Sequence, residues 1–210
     1  QDQQRALIIG LGPGVMTDAL RAEGGEVLTV EIDPAVRDVA EEFFGFDGQV
    51  VVADGRRFLQ RSQDTWDVIF VDAFAGGSPP WQLYTVEAFE LYAAHLAPGG
   101  VVVLNFVGSH LDSAQRPALE AVVTTARQVF PVVDVYPDPW EPADYPTRNI
   151  FIAAAGEPLR PGAGQGVNAF TRAMLHARPL SLEPGRVLTD DAAPLDPLVR
   201  RTTHILRNRV

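Results

Sequence analysis

Short apolar runs recur along the chain, each ended by glycine, proline or an acid. Ala6-Leu7-Ile8-Ile9 stops at glycines, and Val27-Leu28-Thr29-Val30 stops at Glu31-Ile32-Asp33-Pro34. Val50-Val51-Val52, Val68-Ile69-Phe70-Val71, Val101-Val102-Val103-Leu104 and Ile150-Phe151-Ile152-Ala153 repeat the pattern, and Val132 to Tyr136 is a weaker seventh run. Runs that are continuously apolar, rather than alternating, belong to strands covered on both faces, as in a parallel sheet. Helical spacing fills the gaps. From Ala114 to Phe130, residues Leu119, Val122, Val123, Ala126, Val129 and Phe130 form one apolar stripe. Thr85 to Leu96 predicts a second helix, halted by Pro98-Gly99-Gly100. Asp33-Pro34 is an N-cap and first-turn pair that opens a helix to about Phe44.

Strands alternating with helices over residues 6 to 130 predict a doubly wound, mostly parallel, seven-stranded α/β sheet of the Rossmann-like kind. The last two strands, joined by the proline-rich stretch from Pro137 to Thr147, predict an antiparallel hairpin at one edge. Residues 156–210 read as an extension packed on the domain of residues 1–155. It comprises a Gly/Pro linker, a helix near Val167 to Ala177 and a solvated acidic turn at Asp190-Asp191.

Composition narrows the picture. With 210 residues, 46% of them hydrophobic and 21% charged, the chain has the makings of one domain with a true core. A formal charge of −10 repels phosphate backbones and anionic lipids, so nucleic acid is not the expected partner, whereas small cations are attracted. The absence of cysteine removes disulfides, thiolate metal sites and cysteine nucleophiles. His95, His110, His176 and His204 lack metal-ligand spacing, so no metal is expected, and His95 reads as a helix-surface residue. No run approaches the roughly 18 to 20 apolar residues of a membrane span, and no charged-then-apolar leader precedes the first strand. A soluble, cytoplasmic chain is expected. Because it starts at Gln1, a missing N-terminal part holding a membrane anchor or a further domain is expected as well.

Ligands of open α/β sheets bind beyond the carboxyl ends of the strands. Here those ends carry Gly10-Leu11-Gly12-Pro13-Gly14, then Glu31-Ile32, then Asp54-Gly55, then Asp72. A glycine turn lets a ligand approach the backbone, and carboxylates accept from ribose hydroxyls or an adenine amino group, so the set points to a nucleoside. Val15 stands where a dinucleotide fingerprint needs its third glycine, which disfavours NAD, and no Walker lysine follows the turn. Taken singly, the glycines could be a plain strand-to-helix turn, Glu31 a solvated end charge and Asp54 a turn residue.

Ala6 to Gly14, Val30 to Pro34, Ala53 to Leu59, Val71-Asp72, Leu83-Tyr84-Thr85 and Leu96 to Gly100 together resemble the spermidine synthase family. That family is a branch of the class I S-adenosylmethionine-dependent methyltransferase fold. Val187 to Pro194 is similar to the subgroup fused to membrane transporter segments. The resemblance implies S-adenosylmethionine or its decarboxylated form as cofactor, with S-adenosylhomocysteine or methylthioadenosine as product. Gly10, Gly12, Gly14, Ile32 and Gly55 would line the cofactor, Glu31 would hold its ribose, Asp54 its adenine, and Asp72 would also position an amine and take its proton. It implies a small amine as acceptor, with Trp81 or Tyr84 on the acceptor side of a lid from Ala73 to Gln82, and dimers, which are common in the family. The two aromatics could equally cap the core.

The departures are specific. Polyamine-making members carry an acid in the glycine turn, where this chain has Pro13, and a second Asp three residues after the catalytic one, where it has Ala75. True spermidine synthesis is therefore doubtful. An aminopropyl-type transferase heads the expectations; an ordinary methyltransferase and a non-catalytic adenosyl-ligand sensor are the alternatives.

Overall fold

The computed structural model describes residues 3–74, 80–113, 115–138, 148–159 and 179–193. Within them lie strands β1 (Arg5–Ile9), β2 (Glu26–Glu31), β3 (Gln49–Val52), β4 (Trp66–Val71), β5 (Leu96–Gly108), β6 (Val132–Pro137) and β7 (Arg148–Ala155). Helices α1 (Val15–Ala22), α2 (Pro34–Phe44), α3 (Gly55–Arg61), α4 (Val86–Ala94) and α5 (Arg116–Ala126) alternate with them. The spatial order is β3-β2-β1-β4-β5-β7-β6. The first five strands pair in parallel, while β7 lies antiparallel between β5 and β6, so the last two strands form the hairpin expected from the sequence. Strand order reverses between β1 and β4, and in open α/β sheets ligands bind at the strand ends beside such a reversal.

Each strand divides its apolar residues between two faces, as a pleat requires. Leu7, Ile9, Ile69, Val71, Val102 and Leu104 join α3, α4 and α5 in one core, while Ala6, Ile8, Phe70 and Phe151 pack with Met16 and Leu20 of α1. Caps mark the helix ends as expected. Asp33 accepts from the Ala35 amide at the start of α2, and Gly45, at φ 69°, closes it.

Two expectations need correcting. Leu96 to Gly100 does not merely stop a helix, because it already belongs to β5. The register against β4 jumps from Trp66↔Leu96 to Val68↔Val101, and Gly99 at φ 78° takes up the extra residues. His95 is not a helix-surface residue either. It ends α4 half-buried, its ring nitrogens lie 2.9 Å from the Leu91 carbonyl and 3.3 Å from that of Ser62, and it rests 5.9 Å from the Trp66 ring.

Residues 179–193 run back across this core. The Leu180 amide donates to Val135, those of Gly185 and Leu188 donate to the hydroxyls of Thr124 and Thr125, and the Leu188 side chain is fully buried. The expected linker beyond residue 159 and the helix near 167–177 lie outside the described residues. No described helix is long and apolar enough to cross a membrane.

Candidate functional site

The turn after β1 is made possible by glycine. Gly10, Gly12 and Gly14 all have positive φ (100°, 52° and 86°), a region strained for residues with a side chain. At Gly10 the constraint is also steric: a Cβ there would lie 2.1 Å from the main-chain oxygen of Asp72. The end of β1 is thus pressed against the end of β4, and the Asp72 amide donates to the Ile9 carbonyl at 2.8 Å. Above Gly12 the space is open, since a Cβ there would meet nothing within 4 Å.

Glu31, at the end of β2, is buried, not solvated. Its two carboxylate oxygens accept from the Leu11 and Asp33 amides, both at 2.9 Å. One side chain therefore ties the glycine turn to the start of α2, and each oxygen retains a lone pair for a further donor. Ile32 beside it is 66% exposed, an apolar surface next to a fixed anion. Asp54 is the N-cap of α3, accepting from the Arg57 amide at 2.8 Å, and not an ordinary turn residue. Gly55 lets α3 start against β1, where a Cβ would come 2.4 Å from a methyl of Ile9. An open groove of about 670 Å³ lined by Val51, Phe58, Arg61 and Asp64 touches Asp54 but not the turn, Glu31 or Asp72, so it lies to the side of this rim.

Asp72 has different surroundings. Half-buried beyond β4, it takes one side-chain hydrogen bond among the described residues, from Asn105 Nδ2 to its Oδ1 at 2.9 Å. Burial pushes its pKa above the ordinary carboxylate range, and the Asn105 bond opposes that rise. The Asn105 nitrogen also donates to Asn149 Oδ1 at 3.0 Å, so strands β4, β5 and β7 are linked side chain to side chain. Tyr84 is fully buried. It packs edge-on to Phe106, and its hydroxyl points at the Asn105 carbonyl at 3.5 Å; burial, and then Asp72, hold that hydroxyl protonated. It caps the core in this state and offers no surface to an acceptor. Trp81 opens a short 3-10 turn, Trp81–Leu83, and is 36% exposed. Ala75 and the middle of the expected lid lie outside the described residues.

Asp190 lies with Asp191 in an exposed turn, as expected, but its side chain is engaged. Its carboxylate makes a two-pronged pair with Arg56 (2.8 and 2.6 Å) and accepts from Thr85, the N-cap of α4, at 2.7 Å. Its amide donates to Glu87. The Arg56 fork holds Asp190 below the usual carboxylate range, against a smaller opposing effect of burial. Arg56 also donates to the Gln82 carbonyl, so the tail, the start of α3 and the Trp81 turn are locked together.

Sequence reasoning missed Asn105, Asn149 and Arg56. A signal existed for Asn105, a poor strand former inside an apolar run, whereas Asn149 stands ahead of its run, after Arg148. Nothing local marked Arg56, whose partner is 134 positions away. Among the described residues no group of three or more His, Asp or Glu could hold a metal ion.

The strand order, glycine turn and acidic rim place the domain in the class I S-adenosylmethionine-dependent methyltransferase fold. The structure of human methyltransferase-like protein 13 in complex with SAH superposes with a TM-score of 0.63 at 22% identity, covering 86% of this chain and 85% of that one. Within that class the Spermine/spermidine synthase domain model matches residues 1–140, two thirds of the sequence, and the chain belongs to this family. It is 36% identical over 129 residues (60% of this chain, 28% of the relative) to a Bifidobacterium longum protein described as "Probable polyamine aminopropyl transferase". It is 33% identical over 165 residues (73% and 29%) to the N-terminal histidine N-methyltransferase of Emericella nidulans. Both relatives are transferases, and the chain spans less than a third of the length of either.

Proposed function

We propose that the domain binds S-adenosylmethionine or its decarboxylated form at the rim of β1, β2 and β3 and transfers an alkyl group, of the aminopropyl type, to a small amine positioned by Asp72. The residues suit such a cofactor. Glu31 retains lone pairs for ribose hydroxyls, Asp54 is an acceptor for an adenine amino group, Ile32 offers an apolar flank, and the space above Gly12 admits a ligand against bare backbone. A bound sulfonium supplies an activated carbon whose displacement releases a neutral thioether. The chain's own part is to hold an uncharged amine in line with that carbon and to accept the proton released as the carbon–nitrogen bond forms.

The observation that carries this reading is the contrast at the switch point. Glu31 is tied to the backbone and suited to holding, while Asp72, one strand beyond the turn, has its proton affinity raised by burial and is suited to proton transfer. Calorimetric titration with S-adenosylmethionine, decarboxylated S-adenosylmethionine, methylthioadenosine and NAD tests it. Heat from an adenosyl ligand and none from NAD is the expected result; no heat from any adenosyl ligand refutes the proposal.

A second reading, methyl transfer, is favoured by Pro13 in place of an acid, because an uncharged turn does not repel the carboxylate of intact S-adenosylmethionine. The Emericella nidulans methyltransferase relative supports it too. Tighter binding of the intact cofactor than of the decarboxylated one decides for methyl transfer.

A further inference from the structure

We infer that Asn105, braced by Asn149, is a positioning residue that sets which oxygen of Asp72 meets the acceptor and keeps that carboxylate able to take a proton. The inference rests on the reading of Asp72 given above. The geometry is a single nitrogen whose two hydrogens go to two different oxygens, Asp72 Oδ1 at 2.9 Å and Asn149 Oδ1 at 3.0 Å. Exchanging oxygen and nitrogen in the Asn105 carboxamide would set an oxygen against both, so its orientation is determined by its neighbours. It is also held from both sides of the sheet. Asn105 is 8% exposed in a strand paired with β4 on one flank and β7 on the other, opposite Phe151.

Its remaining oxygen, Oδ1, is buried and meets no donor among the described residues. A valine or phenylalanine would continue the apolar pattern of the strand and avoid that unmet acceptor, so packing alone does not account for asparagine here. The bond to Asp72 does. With Oδ1 of Asp72 engaged, Oδ2 is left for one N–H of the incoming amine, leaving the amine lone pair for the carbon under attack. The backbone of Asp72 is held by the Ile9 carbonyl and by contact with Gly10. Of the titratable groups on packed elements, Tyr84 faces Asp72, and it stays protonated beside the Asn105 carbonyl, adding no charge. Among the described residues, the proton affinity of Asp72 is then set by burial acting against the Asn105 donor.

The test is an NMR pH titration of the full chain labelled with 13C at aspartate carboxyls, the Asp72 signal being assigned with Asp72→Asn. Asn105→Ala is expected to raise the Asp72 midpoint by about one pH unit, a tenfold gain in proton affinity. Asn149→Ala, which leaves the donor in place but unbraced, is expected to raise it less. A midpoint unmoved in folded Asn105→Ala overturns the inference. Should that variant fail to fold, an unmoved midpoint in Asn149→Ala overturns it. Methylthioadenosine calorimetry on the wild-type chain keeps the two questions apart, since absence of heat there refutes the cofactor reading while the Asp72 midpoint still decides the role of Asn105.

Discussion

Glu31 and Asp72 stand on the strands flanking β1, yet the fold treats them oppositely. Glu31 receives two main-chain amides, neither of which can be removed by mutation of the donor's side chain. Asp72, half-buried, receives one side-chain amide among the described residues, and burial opposes its charge. One rim can thus carry two tasks: paired backbone donors suit a carboxylate that must stay still, and a single side-chain donor beside a partly buried carboxylate suits one that must gain and lose a proton.

The largest effect should come from abolishing the contact both sides share. Gly10→Ala places a Cβ into the Asp72 carbonyl at a positive φ, and a loss of at least about 3 kcal/mol in urea unfolding is expected. Asp72→Asn comes next and splits function from stability. Transfer to an amine should fall by about 10²-fold or more, while the fold should gain. Because burial raises the folded pKa of Asp72, its favourable contribution is complete below the ordinary value of about 3.9 and is lost as pH rises through the folded value. The advantage of Asp72→Asn in unfolding experiments should therefore grow from acid to neutral pH. Glu31→Gln replaces one acceptor oxygen by a donor facing a backbone amide, and about 1.5 to 3 kcal/mol of stability should be lost together with adenosyl affinity. A variant with full stability and lost affinity would place Glu31 on the ligand alone.

The smallest effect concerns the tail. Asp190→Asn should cost about 0.5 to 1 kcal/mol, since the carboxylate is 40% exposed and its pairing is screened by solvent. Its pH sign is opposite to that of Asp72. The Arg56 fork lowers the Asp190 pKa, so the contribution is present above about 3.9 and fades as pH falls through the folded value. Hydrogen exchange at Val86 and Leu188 at pH 7 should speed up in Asp190→Asn; unchanged exchange would mean that the buried Leu188 and the bonds of Leu180, Gly185 and Leu188 hold the tail without Asp190.

The strands were legible because parallel sheets impose runs of apolar residues that need no partner to be recognised. The order of acids at strand ends was legible for the same reason: once the strands are placed, topology also places the residues just beyond them. The features that escaped depend on distance along the chain. The extension of β5 back to Leu96 depends on pairing with Trp66, and the engagement of Asp190 depends on Arg56, Thr85 and Glu87. Glu31 was visible as a candidate, but its bonds to Leu11 and Asp33 depend on how the turn folds back. Asn105 stood out only as an interruption, with nothing in its neighbourhood naming Asp72 as its partner.

With no side chain at position 10, main chain alone separates the glycine turn from Asp72, so a small displacement of either strand end would shift the proposed cofactor cradle and the proposed proton acceptor together. The spacing from a group held in the turn to the oxygen that deprotonates its target is then a built-in ruler. Catalytic alignment would come with folding itself, needing no domain movement to create it.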